Sequence, residues 1–268
     1  MVTHGKPETI GPALERLQAV ARETGVELAY PPEELSKHGV GAESGDVDRA
    51  DIAVVLGGDG TMLRALQRFL GTGTPTIGVN FGRVGFLTSI QPHDLEAGIK
   101  RVFGGDYNVF ELPTLELHIG EERWNAINDV VATSGVLGRM VELELALGGE
   151  DLGTQPCDGL ICATPSGSTA YNLSNGGPVL VWGIEAAVVT FVAPHSLSAR
   201  PIVVPRGLDL IVWNRTLDVP VQVLADGHAV AQLAPGARAR ARLDGPKSLL
   251  ATLPETTFFR RYREIFGH

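Results

Sequence analysis

Residues 12–23, PALERLQAVARE, space their apolar side chains at helical intervals, with a proline near the start and Gly25 just past the end. That start-and-stop pattern predicts an amphipathic helix. VELAY at 26–30 reads as a strand and is followed by a polar, glycine-rich stretch at 37–49. Residues 51–56, DIAVVL, form a continuous apolar run, as in strands covered on both faces. The run leads straight into Gly57-Gly58-Asp59-Gly60, after which 61–70 returns to helical spacing. TPTIGV at 74–79 predicts another buried strand and 92–103 another helix. Strands alternating with helices predict parallel β-α-β units, hence an N-terminal Rossmann-like α/β domain with an open, doubly wound sheet.

From about Phe110 the rhythm changes. LELHIG, WNAINDVVATSG, MVELELAL, GLICATP, VVTFVAP, DLIVWN, VPVQVLAD and ARARARLDG recur between turn residues with almost no helical spacing. Strict alternation in VELELAL and ARARARL is that of half-buried strands, and the whole predicts a C-terminal antiparallel β-sandwich domain. The expected boundary lies near 106–110, dividing the chain into 1–108 and 109–268. The aromatic and basic end, ETTFFRRYREIFGH, is expected to pack back on the body. The longest apolar region, 178–194, is interrupted by Gly183 and Glu185 and is rich in valine, so it reads as two buried strands rather than a membrane span.

Composition narrows the function classes. With 44% hydrophobic and 20% charged residues in 268, the chain has material for a sizeable core. A net charge of −9 argues against nucleic acid as a partner and against a polybasic grip on membranes. Small anionic ligands need only a local positive potential and stay open. Cys157 and Cys162 make neither a disulfide framework nor a zinc spacing. The seven histidines show no pair at metal-ligand spacing, so no structural zinc or other protein-held metal is expected. The start of the chain lacks the apolar run of a signal peptide, and a cytoplasmic protein is expected.

Two stretches carry candidate chemistry. Gly57-Gly58-Asp59-Gly60-Thr61 stands between a buried strand and a helix, where open α/β sheets place ligands. Glycines admit close backbone approach, and the helix start offers N–H groups to a phosphate. The plainer alternative is a tight turn with Asp59 as helix N-cap; three glycines exceed what a cap needs, and Arg64 follows one turn on. No Walker A pattern and no G-x-G-x-x-G is present, Asn80-Phe81-Gly82-Arg83-Val84-Gly85 carrying only part of the latter. The second stretch follows Asp158-Gly159 and has six hydroxyl side chains within 164–174, TPSGSTAYNLS. It suits a polar, sugar-bearing ligand with a flat base covered by Tyr171; the alternative is an ordinary strand-to-loop transition.

GGDGT after an apolar strand, NFGRVGFL beyond it, DGLICATPSGSTAYNLSNGGP in the β region and PHSLSARP later occur in the order found in NAD kinases, which the chain resembles along almost its whole length. GGDGT is shared with diacylglycerol kinase, sphingosine kinase and phosphofructokinase relatives, whereas the PSGSTAY segment with PHSLSARP is much more specific. The resemblance implies transfer of the terminal phosphoryl of ATP, with a divalent metal such as Mg²⁺, to the 2′-hydroxyl of the adenosine ribose of NAD. It makes Asp59 the catalytic carboxylate that accepts the hydroxyl proton. Gly57, Gly58, Arg64 and Arg139 would serve the ATP phosphates. Gly60, Asn128, Asp129, Asp158, Ser166, Thr169, Ala170, Tyr171, Ser174 and His228 would contact NAD. Asp129 stands where the family has glutamate, and Pro156 where it often has a basic residue. A homodimer or homotetramer is implied as well.

Two alternatives are kept. A lipid kinase of the same superfamily would show a greasy or basic membrane-facing surface, whereas this chain is acidic. A catalytically silent NAD(H)- or NADP(H)-binding sensor has the intact Asp59 against it, with Asp129 and Pro156 leaving it room. His195 lacks the G-x-S-x-G elbow of a serine hydrolase and reads as structural.

Overall fold

The computed structural model describes residues 1–3, 7–38 and 47–267. Part of the polar stretch expected at 37–49, residues 39–46, lies outside the described residues. The chain forms two compact units, Met1–Glu111 with Ser248–His268, and Leu112–Lys247.

In the first unit β1 (Val2–Thr3), α1 (Pro7–Thr24), α2 (Pro32–His38), β2 (Ala53–Gly57), α3 (Asp59–Arg68), β3 (Thr76–Asn80), α4 (Leu95–Phe103) and β4 (Asn108–Leu112) follow one another. All residues of β2 and β3 are buried, and the two pair in parallel with Val55 opposite Gly78. Their unbroken apolar runs are thereby explained: both faces are covered. α4 buries Leu95, Gly98, Ile99 and Val102, a helical stripe. Ile99 and Val102 join Leu14 and Leu17 of α1 and Leu56 and Val79 of the sheet in one core.

The second unit holds twelve strands. They are β5 (Leu115–Ile119), β6 (Glu122–Ala126), β7 (Asp129–Ser134), β8 (Val141–Leu147), β9 (Glu150–Cys157), β10 (Gly159–Ala163), β11 (Ala186–Val192), β12 (Ile202–Pro205), β13 (Asp209–Asn214), β14 (Val221–Ala225), β15 (His228–Leu233) and β16 (Arg238–Arg242), with a short helix α5 (Tyr171–Ser174) before β11. They make two six-stranded sheets, ordered β12-β11-β10-β7-β14-β15 and β6-β5-β16-β13-β8-β9. Alternate residues of both sheets, including Leu117, Leu143 and Val212 from one and Val130, Leu160 and Val223 from the other, meet in a single core. The expected antiparallel sandwich is therefore present. The chain then returns to the first unit as β17 (Ser248–Thr252), parallel to β3, and ends in α6 (Phe258–Phe266). The first sheet is ordered β1-β2-β3-β17-β4. The sequence reading placed everything after 108 in the β-rich domain; by contacts, β17 and α6 lie with the first unit.

Three local expectations differ. VELAY is not a strand, although Tyr30 is fully buried. The region 178–194 holds one strand, β11, rather than two; Leu180 and Trp182 are buried without joining a ladder. α1 starts at Pro7, so Pro12 sits inside it rather than at its start.

Fully buried Asn214 ties the two sheets together at the end of β13. Its Nδ2 donates to the carbonyls of Val219 (2.9 Å) and Leu233 (3.1 Å), and its Oδ1 accepts the Thr216 N–H (3.0 Å). Asn214→Ala leaves these main-chain groups without partners and is expected to cost on the order of 2–3 kcal/mol. Urea unfolding should show a lower midpoint at unchanged slope; an unshifted midpoint would mean that water replaces the amide.

Candidate active site

In the first unit β2 ends at Gly57 and α3 begins at Asp59. Gly58, with extended backbone, stands at the N-cap position without a side-chain hydrogen bond. The cap role open to Asp59 is not taken. Its carboxylate reaches out of its own motif: Oδ2 accepts the N–H of Phe86 (2.8 Å) and Oδ1 that of Leu87 (3.1 Å). The segment carrying these donors leaves β3 through buried Asn80, whose Oδ1 accepts the Gly82 N–H (2.9 Å) and whose Nδ2 donates to the Arg83 carbonyl (3.2 Å). It lies so close to the turn that a Cβ at Gly85 would be 2.3 Å from the Asp59 carboxyl carbon, and one at Gly82 3.4 Å from the Gly58 Cα. Glycine is required at 85, where a Cβ would collide with the Asp59 carboxylate, whereas Cβ atoms at 58 and 82 would meet the facing backbone at ordinary contact distance. Burial raises the Asp59 pKa above that of an ordinary aspartate, opposed by the N–H groups of Phe86, Leu87 and Thr88 and by the charge of Arg261. Gly60 and Arg64 are exposed at the start of α3.

The second unit gathers the other expected residues at one corner. Asn128 and Asp129 begin β7. Asp226, in the β14–β15 turn at φ +48° before Gly227 at φ +77°, receives the N–H of Ile127 on Oδ2 (2.9 Å) and those of Asn128 (2.7 Å) and Asp129 (3.2 Å) on Oδ1. His228 follows, exposed, with Nδ1 3.0 Å from the Asp226 carbonyl. The hydroxyl-rich segment is bound to the same corner. Thr164 donates its N–H to the Asn128 carbonyl (2.8 Å) and its hydroxyl to that of Ile127 (2.6 Å), and Ser166 Oγ donates to Asn128 Oδ1 (3.0 Å). A Cβ at Gly167 would fall 1.9 Å from the Asn128 carbonyl oxygen, so only glycine fits there. Thr169 caps the Ser166 carbonyl (3.1 Å), Ala170 is half-buried, and Tyr171 and Ser174 are exposed on α5. Fully buried Asn172 holds the segment's shape, donating to the Ser168 (2.9 Å) and Pro178 (3.1 Å) carbonyls and accepting from Thr190 Oγ1 (2.7 Å).

Two expected residues are not brought here. In the β7–β10 ladder Ala163 faces Asp129 and Gly159 faces Thr133. Asp158 is therefore at the opposite end of the ladder, about 16 Å along the strands. Arg139, exposed beyond the far end of β7, gives its Nη2 to both carboxylate oxygens of Asp218 (3.1 and 3.0 Å). The residues expected from sequence do not include Asp226, which organises this corner. Its signal was the Asp-Gly pair between two alternating runs, which marks a hairpin turn with positive φ.

The two carboxylates of this corner differ in their partners. Asp226 holds three N–H groups, whereas no protein donor to the Asp129 carboxylate is found among the described residues, although Asp129 is only 6% exposed. Burial, with the charge of Asp226 second, pushes Asp129 up to about 7. A carboxylate with acceptor capacity left over suits a ligand that brings hydroxyl groups. No group of three or more His, Cys, Asp or Glu side chains among the described residues is placed to hold a metal ion.

A raised pKa in the folded state means that folding takes up a proton. The contribution of Asp129 to stability is therefore present at about pH 4 and is lost as pH rises through about 7. Asp129→Asn, uncharged throughout, should melt about 5 °C or more above the parent at pH 8 and no higher at pH 4. A difference independent of pH between the two melting curves would contradict the assignment.

Comparison with known proteins places both sites in one family. Residues 20–107 match the ATP-NAD kinase N-terminal domain and 127–243 the ATP-NAD kinase C-terminal domain. The chain is 38% identical to the NAD kinase of Gemmatimonas aurantiaca over 225 residues, covering 81% of this chain and 77% of that one. It is 35% identical to that of Symbiobacterium thermophilum over 267 residues, 97% and 94% of the two. Among solved structures, an NAD kinase from Archaeoglobus fulgidus in complex with ATP aligns with TM-score 0.75 at 26% identity, covering 95% of this chain and 93% of that one. Yeast NADH kinase complexed with NADH shares the fold, with TM-score 0.84 at 24% identity over 99% and 86% of the two chains. With both domains matched and relatives this similar over nearly its whole length, the chain belongs to the NAD kinase family.

Proposed function

We propose that the protein transfers the terminal phosphoryl of ATP to the 2′-hydroxyl of the adenosine ribose of NAD, giving NADP and ADP. The reading is carried by Asp59, a half-buried carboxylate fixed by main-chain amides at a strand-to-helix turn. The ribose 2′-oxygen attacks the γ-phosphorus while the bond from that phosphorus to the β–γ bridging oxygen breaks. The hydroxyl proton passes to Asp59, whose raised pKa brings it nearer the working pH of a general base. Main-chain N–H groups beside Gly57 and Gly58, with Arg64 at the helix start, take the phosphates. Positioning and charge neutralisation supply most of the rate in such transfers.

Asn128 and Asp129 hold the adenosine hydroxyls, the Asp129 carboxylate supplying an acceptor that has no protein donor among the described residues. Ser166, Thr169, Ala170, Ser174 and His228 border the base and ribose, and exposed Tyr171 covers the base. A divalent metal such as Mg²⁺, brought with ATP, would neutralise charge on the β- and γ-phosphates. The exposed Leu137, Leu197 and Leu217 support a homodimer or homotetramer. The net charge of −9 supports a cytoplasmic enzyme without nucleic-acid or membrane partners. No helix among the described residues is long and apolar enough to cross a membrane.

NADP formation from NAD, ATP and magnesium, read with an NADP-specific dehydrogenase, tests the reading. The parent should turn over, and Asp59→Asn should lose a factor of about 10² or more in kcat. Because burial raises Asp59, the acid limb of the parent's kcat/KM profile should lie above the ordinary aspartate value of 3.8. Binding of NAD without NADP formation by the parent would leave a sensor in place of a kinase.

A further inference from the structure

Asp59 is gripped by a segment that is itself gripped by the last helix of the chain. The Phe86 ring, next to the amide that donates to Asp59, packs against Phe258 and Phe266 of α6 at centroid distances of 5.5 and 5.9 Å. Between those two rings in sequence stands Arg261, only 4% exposed. Its Nη2 donates to the Thr88 carbonyl and its Nη1 to Glu264 Oε2 (2.8 Å), while its Nε has no hydrogen-bond partner. Helix α6 is already anchored by aromatic packing, so a buried guanidinium with one N–H unsatisfied is unfavourable as an anchor alone. It becomes favourable beside a buried anion. Asp59, on α3, is the half-buried carboxylate held by the segment that Arg261 grips, whereas Glu264, on the same helix, is exposed.

We propose that Arg261 is a positioning residue for Asp59: it pins the Thr88 end of the segment whose amides hold the carboxylate and brings a positive charge to that segment. The kinetic part of this inference rests on the reading of Asp59 as the base. The electrostatic part does not. The end of the chain is in this way part of the catalytic apparatus without touching substrate.

The test uses the full chain without ligand and follows the backbone amide resonances of Phe86 and Leu87 by NMR as pH is varied. Their common midpoint reports the Asp59 carboxyl. Arg261→Met, which removes the charge, should raise that midpoint by about half a pH unit or more, and Arg261→Lys should restore most of it. Glu264→Gln, which removes the competing anion, should lower it. This variant decides the matter if the buried Arg261→Met chain fails to fold. Opposite signs are not produced by a helix that merely packs. In turnover, Arg261→Met should lose about tenfold in kcat with KM for NAD within about twofold. Midpoints that stay put, or move together in one direction in the Met and Gln variants, overturn the proposal. If the midpoints shift as expected but the parent makes no NADP, the electrostatic coupling stands and the kinase reading falls. If the parent makes NADP and the midpoints do not shift, only the role of Arg261 falls.

Discussion

The carboxylate of Asp59 accepts main-chain N–H groups from Phe86 and Leu87, 27 and 28 residues further along the chain, and the loops of the first unit are built so that it can. A carboxylate bonded to amides is a charge-assisted contact stronger than a neutral hydrogen bond, but it requires two backbones to meet. A side chain at 85 would collide with the Asp59 carboxylate itself. Asn80 turns the second segment back by bonding both Gly82 and Arg83. Parallel pairing of β2 with β3 brings the two strand ends, Gly57 and Asn80, opposite each other before either loop begins. Sheet, glycine, asparagine and aspartate serve one contact.

The second unit repeats the device with a different outcome. Asp226 holds three consecutive amides from across the β7–β14 ladder, and this shapes the corner where Asn128 and Asp129 sit. The two carboxylates share a dry corner, and two like charges there do not ionise equally. The amides stabilise the anion of Asp226. Asp129 has burial and its neighbour's charge against it and no donor to offset them. The amides held by Asp226 keep the backbone of the corner in place.

Much of this was legible in the residues, and what was hidden has a common physical cause. Runs such as DIAVVL and TPTIGV gave β2 and β3 because burial on both faces leaves a continuous apolar signature. VELELAL gave β8 because its two faces differ. VELAY has the same local character as a strand and buries Tyr30, yet it joins no ladder. Leu180 and Trp182 likewise obey burial without obeying pairing. For the site, GGDGT and TPSGSTAY announced themselves by composition, whereas the grips on Asp59 and on Asn128–Asp129 come from residues distant in sequence. Arg261 looked like one basic residue among several in a tail. Nothing local in RRYRE separates the arginine that is 4% exposed from its exposed neighbours; only the packing of Phe258 and Phe266 on Phe86 turns it inward.

The aspartate at 129, where the family it resembles carries glutamate, fits the same logic. A carboxylate one methylene shorter stays closer to its own main chain, and here that main chain is held against Asp226. Closeness to Asp226 and exclusion of water both favour its proton-bound form. A ligand that donates hydroxyl hydrogen bonds supplies the stabilisation that the fold withholds, so ligand binding and loss of this proton favour each other. On the proposed function, the shorter side chain would link occupancy of the corner to pH near neutrality. A longer one, reaching toward solvent, would have less of its charge desolvated and would feel Asp226 less. On the proposed function, the substitution would shift the pH range in which the corner binds and leave its acceptor in place.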